Sequence, residues 1–271
     1  MKTMLSPAAA LLLVSSLPAA AQEGPTPADQ ERWQAVVEMS FPGRTPEPAG
    51  AALSLQAPAR AGDAALVPVG VQLGDLGGDR VIRLHLFIDD NPVPRAYSLT
   101  FGPAADPAGG LETRVRVNEY TWMHAVAETA SGRLLQTATF IKASGGCSAP
   151  ALKDPEAARA RAGRMKLNLP AEIHPGRPVR AQLLISHPNA TGMQFDQIGR
   201  TYIPADYVRQ VSIRYNGRSV AEVETDIALS EDPSLHFAFV PDAAGGTLEV
   251  DAHDSEGKVY RQSWPVPGGP S

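Results

Sequence analysis

Apolar and polar residues alternate along short runs from Leu53 onward. LSLQA, ALVPVGVQL, VIRLHLFI, AYSLTF, ETRVRV, WMHAVAET and RLLQTATFIK each change sides residue by residue or carry a short β-branched run. That is the period of a strand with one buried face. Gly, Pro, Asp or Asn bounds each run, and these residues make turns. Seven short strands in roughly 95 residues predict a β-sandwich. A second series follows: MKLNL, VRAQLLIS, VRQVSIRY, RSVAEVET, LHFAFV, GTLEVDA and KVYRQSWPV. Asn216-Gly217 in YNGR predicts a type I′ hairpin turn between its third and fourth strands. DSEGK predicts a turn before the last. The second half thus reads as another small sandwich, with no obvious sequence repeat of the first.

Two segments break the strand pattern. TPADQERWQAVVEMSF predicts a helix over roughly residues 27 to 40. Thr26 is its N-cap, Pro27 fits the first turn, Asp29 completes a capping-box pattern, and Trp33, Val36 and Val37 share a face. ASGGCSAPALKDPEAARARAG has small and charged residues without apolar periodicity. It reads as a linker, with a short helical turn over DPEAARARA.

The N-terminus, MKTMLSPAAALLLVSSLPAAAQ, has a secretory leader's layout: a basic start at Lys2, an apolar run, and small residues at Ala19-Ala20-Ala21. Its apolar run is shorter than the roughly 20 residues of a membrane span, and no later segment approaches that length. The expected location is the periplasm of a Gram-negative cell. The chain has 24 Lys+Arg against 29 Asp+Glu, a formal charge of −5 that becomes −6 once Lys2 leaves with the leader. An acidic exported chain argues against nucleic-acid binding, which needs basic patches, and no amphipathic membrane anchor is present.

There is one cysteine, Cys147, behind Gly145 and Gly146. A lone cysteine in an oxidising compartment pairs between molecules, stays a free reactive thiol, or fills a core position. The glycines before it favour an exposed, flexible segment over the core. A thiolate there is a soft nucleophile able to hold sulfur through an S–S bond. No Lys, Arg or His lies within two residues to lower its pKa; Lys142 is five before and Lys153 six after. The plainer reading is an ordinary linker thiol. His187-Pro188 with Thr191-Gly192 is the second cluster, either a loop beside the cysteine segment or the partner surface or, more simply, a turn capped by histidine. Asn189-Ala190-Thr191 fits a glycosylation sequon, a poor match to a bacterial periplasm.

The six histidines are scattered without paired spacing, so no zinc site is expected. Asp89-Asp90 and the group Asp251, His253, Asp254 and Glu256 do not fit an EF-hand and read as solvated turn residues. There is no Gly-x-Ser-x-Gly elbow, phosphate loop or dinucleotide fingerprint. No cofactor is expected, and chemistry would come from partners.

Several stretches carry a resemblance. In the first half they are LVPVGVQL, LFIDDNPVPRAYSLTF with its Asn91-Pro92-x-Pro94 turn, ETRVRV, and HAVAETASGRLLQTATFIKASGGC. In the second they are LLISHPNATGMQ, IPADYVRQVSIRYNGRSV and LHFAFVPDAAGGTLEVDAHDSEG. The first half resembles SoxY and the second SoxZ, the two subunits of the periplasmic sulfur carrier of thiosulfate oxidation. The chain looks like a fusion of the two, similar to a subgroup associated with quinoprotein (PQQ) alcohol dehydrogenase systems. The resemblance implies an all-β protein of two immunoglobulin-like β-sandwich domains with a short N-terminal helix. It divides the chain into a signal peptide (1–21), a SoxY-like domain ending in the Gly-Gly-Cys arm (22–147), a linker (148–163) and a SoxZ-like domain (164–271). SoxY ends in Gly-Gly-Cys-Gly-Gly, whose cysteine carries the substrate. Gly145, Gly146 and Cys147 match its first three positions, whereas Ser148 and Ala149 replace the last two glycines and the chain continues. The resemblance implies a non-enzymatic carrier with Cys147 as covalent site, Gly145 and Gly146 as flexible arm, and Sox-type oxidoreductases or a quinoprotein dehydrogenase and its cytochrome as partners. The alternative is a non-covalent adaptor or ligand-binding module for the dehydrogenase system, with the cysteine dispensable.

Overall fold

The computed structural model describes residues 24–150 and 155–268. The leader expected over residues 1–21 lies outside them. Helix α1, Pro27–Ser40, starts as the sequence predicts. Thr26 Oγ1 accepts the Asp29 N–H, and the Asp29 carboxylate accepts the Thr26 N–H in return. This closed capping box satisfies donors that a helix start leaves open.

The first half then runs through β1 (Glu47–Pro48), β2 (Leu53–Gln56), β3 (Val67–Leu73), β4 (Val81–Ile88), β5 (Arg95–Phe101), β6 (Leu111–Val115), β7 (Thr121–Thr129) and β8 (Leu134–Ile141). A short helix α2 (Pro155–Arg161) leads to the second half: β9 (Met165–Asn168), β10 (Val179–Ile185), β11 (Phe195–Asp196), β12 (Thr201–Tyr202), β13 (Val208–Tyr215), β14 (Arg218–Thr225), β15 (Ser234–Phe239), β16 (Gly246–Asp254) and β17 (Val259–Val266). All fourteen strands read from periodicity are present. The additional ones, β1, β11 and β12, have two residues each, too few to establish an alternation.

Each half is a sandwich in which one layer is a three-stranded sheet: β2-β3-β6 in the first half, β15-β10-β9 in the second. The opposing layer is shared. A nine-stranded sheet runs β1-β8-β7-β4-β5-β14-β13-β16-β17, crossing between halves at the antiparallel pair β5–β14. There Leu99 faces Val223, Ser98 faces Glu224 and Tyr97 faces Thr225. The all-β reading holds. The joint is a hydrogen-bonded ladder, and the apolar core runs through it from Val67, Leu84 and Leu99 to Val223, Ile213 and Phe239. Strand periodicity identifies faces, whereas pairing partners are set by which edges meet in three dimensions.

The outer face of the shared sheet carries α1. Val36 and Phe41 pack with Phe87, Val126 and Leu134, and Trp33 lies against them. The Trp33 ring stacks on His124 at 3.7 Å, and its Nε1–H donates to Gln136 Oε1 at 2.9 Å. His124 Nδ1 meets Asp89 Oδ1 at 3.0 Å with both residues buried. Asp89 is therefore no solvated turn residue: it closes the polar layer beneath the helix, and burial pushes its carboxyl upward. Nearby, His85 bridges Ser98 and Glu128. Glu128 also accepts from Arg44. The His85 hydrogen bond is the largest cause holding its carboxyl down to about 2.

Candidate functional site

Past β8 the chain pairs with the segment before β3: Lys142 N–H donates to the Ala59 carbonyl and Ala61 N–H to the Lys142 carbonyl. It then turns inward. Gly145 takes a positive φ of 79°, a conformation that favours glycine. Its N–H donates to the Asn118 carbonyl at 2.8 Å, and the Gly146 N–H to Val117 at 2.9 Å. A Cβ on Gly146 would stand 2.1 Å from the Ala64 carbonyl oxygen and 2.7 Å from that of Val117. Gly145 thus serves a left-handed turn with open space around it, and Gly146 a close backbone approach. The expected flexible arm is a fixed strap, and Cys147, expected on an exposed segment, is buried with 0 % exposure. Local composition gave the opposite impression because glycine serves tight packing as readily as mobility.

Three side chains secure the strap. Arg116, just past β6 and 1 % exposed, donates from Nη1 to the Gly146 carbonyl at 3.1 Å. Thr191 Oγ1 donates to the Cys147 carbonyl at 2.6 Å. Gln194 Nε2 donates to the Ala149 carbonyl at 3.0 Å, while its Oε1 accepts the Thr191 N–H. The clamp thus comes from both halves, Arg116 from the first and Thr191 and Gln194 from the second. Asn91, from the Asn-Pro-x-Pro turn, sets the Arg116 end by donating to the Arg116 carbonyl and accepting the Asn118 N–H.

The loop after β10 brings Thr191 to the cysteine. His187 and Asp232 exchange backbone and side-chain bonds. His187 Nδ1 accepts the Asn189 N–H at 3.1 Å, so the histidine does cap a turn. Asn189, with a positive φ of 42°, is fully buried; its side chain donates to Leu229 and accepts from Val208. The sequon is therefore closed to modification in the folded state. Gly192 adds a second left-handed turn at φ 85°, and Pro188 lines a pocket of about 120 Å³ beside Ala190, Gln194 and Asp206. His187 lies behind this loop, so the residues that reach the cysteine segment are Thr191 and Gln194.

His187, Asp206 and Asp254 gather below, the first and last buried and Asp206 half-buried. His187 Nε2 stands 3.5 Å from Asp206 Oδ1 and 3.7 Å from Asp254 Oδ2. Because Nδ1 accepts a backbone N–H, the proton of the neutral ring sits on Nε2. A metal would require a lone pair there, and ligating histidines donate from their other nitrogen; this ring does the reverse. Asp254 is 2 % exposed and accepts the Glu256 and Lys258 N–H groups and the Tyr260 hydroxyl, which corrects its reading as a solvated turn residue. The turn's own amide donors supply what solvent would have supplied.

The thiol is closed to solvent in this arrangement. Burial pushes the Cys147 pKa up to about 11, with the nearby Arg116 charge pulling against it. Sequence reasoning missed Arg116, Gln194 and Asn91 as site residues. Arg116 continues the alternation of ETRVRV, and nothing in that pattern shows that its side chain turns inward. Gln194 carried no signal.

Comparison with known proteins bears on both halves. The family model for sulfur oxidation protein SoxY matches residues 38–147, ending on Cys147. That for sulphur oxidation protein SoxZ matches residues 165–265. No curated protein matches the chain. Among solved structures, the sulfur carrier protein SoxY from Chlorobium limicola f thiosulfatophilum aligns at 18% identity and a TM-score of 0.37, covering 42% of this chain and 94% of that one. A β-glycosidase from Bacteroides vulgatus aligns at 11% identity and a TM-score of 0.25, covering 79% of this chain and 24% of that one.

Proposed function

From a chain that carries a SoxY domain and a SoxZ domain in one polypeptide, we propose a fused SoxYZ-like carrier that holds a sulfur-containing intermediate on Cys147 for partner oxidoreductases in the periplasm. The observation that carries this reading is the position of the thiol. The chain's single cysteine stands at the last residue of the SoxY match, and its carbonyl is gripped by Thr191 from the SoxZ half. Such a clamp gives the second half a role in presenting the cysteine. Gly145, at a left-handed turn with open space around it, serves as the hinge of this strap, Gly146 leaves its packed seat when the strap opens, and Thr191 and Gln194 form the contact surface.

Loading requires the strap to open. The clamp bonds from Thr191 and Gln194 are worth about 1 kcal/mol each, within reach of local opening or of a docking partner. Once water reaches the thiol, burial no longer suppresses its ionisation. Joining Cys147 to a sulfur nucleophile at the thiol level forms one S–S bond and releases a proton and two electrons. The partner oxidoreductase takes those electrons. On this reading no catalytic group is needed on the carrier, and the chemistry belongs to the partner.

The closed thiol favours a second reading, an adaptor for a quinoprotein dehydrogenase and its cytochrome in which Cys147 is a core residue. Cys147→Ser separates them. The carrier reading predicts complete loss of substrate-dependent electron transfer to the partner with the fold intact; the adaptor reading predicts unchanged transfer.

A further inference from the structure

Arg116 is an unusual residue to find inside a sandwich. It is among the largest fully buried side chains, at 1 % exposure. A buried cation is costly without compensation, and this one is only partly compensated. Nη1 donates to the Gly146 carbonyl, whereas Nε is buried without a hydrogen-bond partner. Burial pushes its pKa down, while Cys147, Glu231 and Asp63, all within its electrostatic reach, pull the other way and favour its charge. The thiol and the guanidinium therefore form one buried unit at the strap. Among the described residues, Arg116 is the charge that acts on the Cys147 thiol.

We propose that Arg116 makes the Cys147 site selective for anionic sulfur groups, its guanidinium serving as counter-charge to the group bonded at Sγ. The inference rests on the carrier reading and names the charge class of its cargo. The spare Nε–H is a donor available to a sulfonate-type oxygen or a terminal sulfide when the strap opens. Charge-assisted bonds of this kind are about twice as strong as neutral ones. Arg116 acts as a specificity-determining residue and moves no proton. Overall charge cannot supply the preference, because the chain is net negative and would repel an anion.

The test uses methanethiosulfonate reagents that differ only in the charge of the transferred thiol: sulfonatoethyl (anionic) and trimethylammonioethyl (cationic). In each reaction the Cys147 thiolate attacks the sulfenyl sulfur, an S–S bond forms, and methanesulfinate leaves with the electron pair. Rates are measured on the full chain carrying Thr191→Ala and Gln194→Ala, so that the strap opens. The anion-to-cation rate ratio is divided by the ratio for the same protein in urea. Opening alone changes both rates together and leaves this ratio fixed.

The expected ratio favours the anion by about tenfold or more. Arg116→Lys should retain that preference and Arg116→Gln should abolish it. Equal ratios in folded and unfolded protein overturn the proposal, as does an Arg116→Gln variant with undiminished preference. Should Arg116→Gln not fold, the folded-to-urea comparison with Arg116 and with Lys at that position decides. The carrier reading fails separately, through Cys147→Ser with function retained, a result that leaves the charge ratio unaltered.

Discussion

At the scale of single residues, the account turns on what glycine and charge do when buried. Gly146 is where a side chain cannot fit, since its Cβ would overlap the Ala64 and Val117 carbonyl oxygens. Gly146→Ala should cost about 1–3 kcal/mol, read as a lower denaturation midpoint, and should speed Cys147 labelling by displacing the strap. In the unaltered protein at pH 7, labelling should run at least about a hundredfold slower than in urea, because burial removes both access and thiolate. Glu128 offers a stability test at a distance from the site. Its folded pKa lies below its unfolded one, so its contribution is full above the unfolded value near 4.5 and fades as pH falls toward about 2. Glu128→Gln should therefore lose about 2 kcal/mol at pH 7, and the gap from the parent protein should narrow as acid is added through that window. A gap independent of pH would refute the His85–Glu128–Arg44 account.

At the scale of elements, periodicity was enough to place every strand of four residues or more and to start α1 at its capping box. It could not place β11 and β12, whose two residues apiece rest on a Phe195–Tyr202 ring contact. Nor could it show that β5 and β14, more than a hundred residues apart, are neighbours. The site was legible in part. Cys147, its glycines and the Thr191 loop stand out as residue types, whereas the direction in which Arg116 points depends on where β6 ends. Exposure was misread for Cys147, Asp89 and Asp254 because turn-forming residues also line buried turns when backbone donors satisfy them. The β5–β14 ladder carries its own prediction. Val223→Pro would remove an N–H from a central strand and insert a ring where Leu99 pairs, so both halves should lose stability together in one transition.

At the scale of the molecule, the shared sheet makes the fusion a structural unit. A protease site inserted between Lys153 and Asp154 and then cut should leave the halves co-eluting, held by the ladder and the continuous core. Separation of the fragments would mean that the covalent join holds them together. The arrangement shuts the Cys147 thiol away from solvent, with its strap held by Arg116 from one half and Thr191 from the other. The most direct test of the central claim is the intact mass of protein isolated from its native host, measured with and without reductant. The account predicts an added mass on Cys147 that reductant removes, absent from Cys147→Ser. An unmodified thiol under conditions that induce the protein would contradict it and leave the cysteine as a core residue of an adaptor.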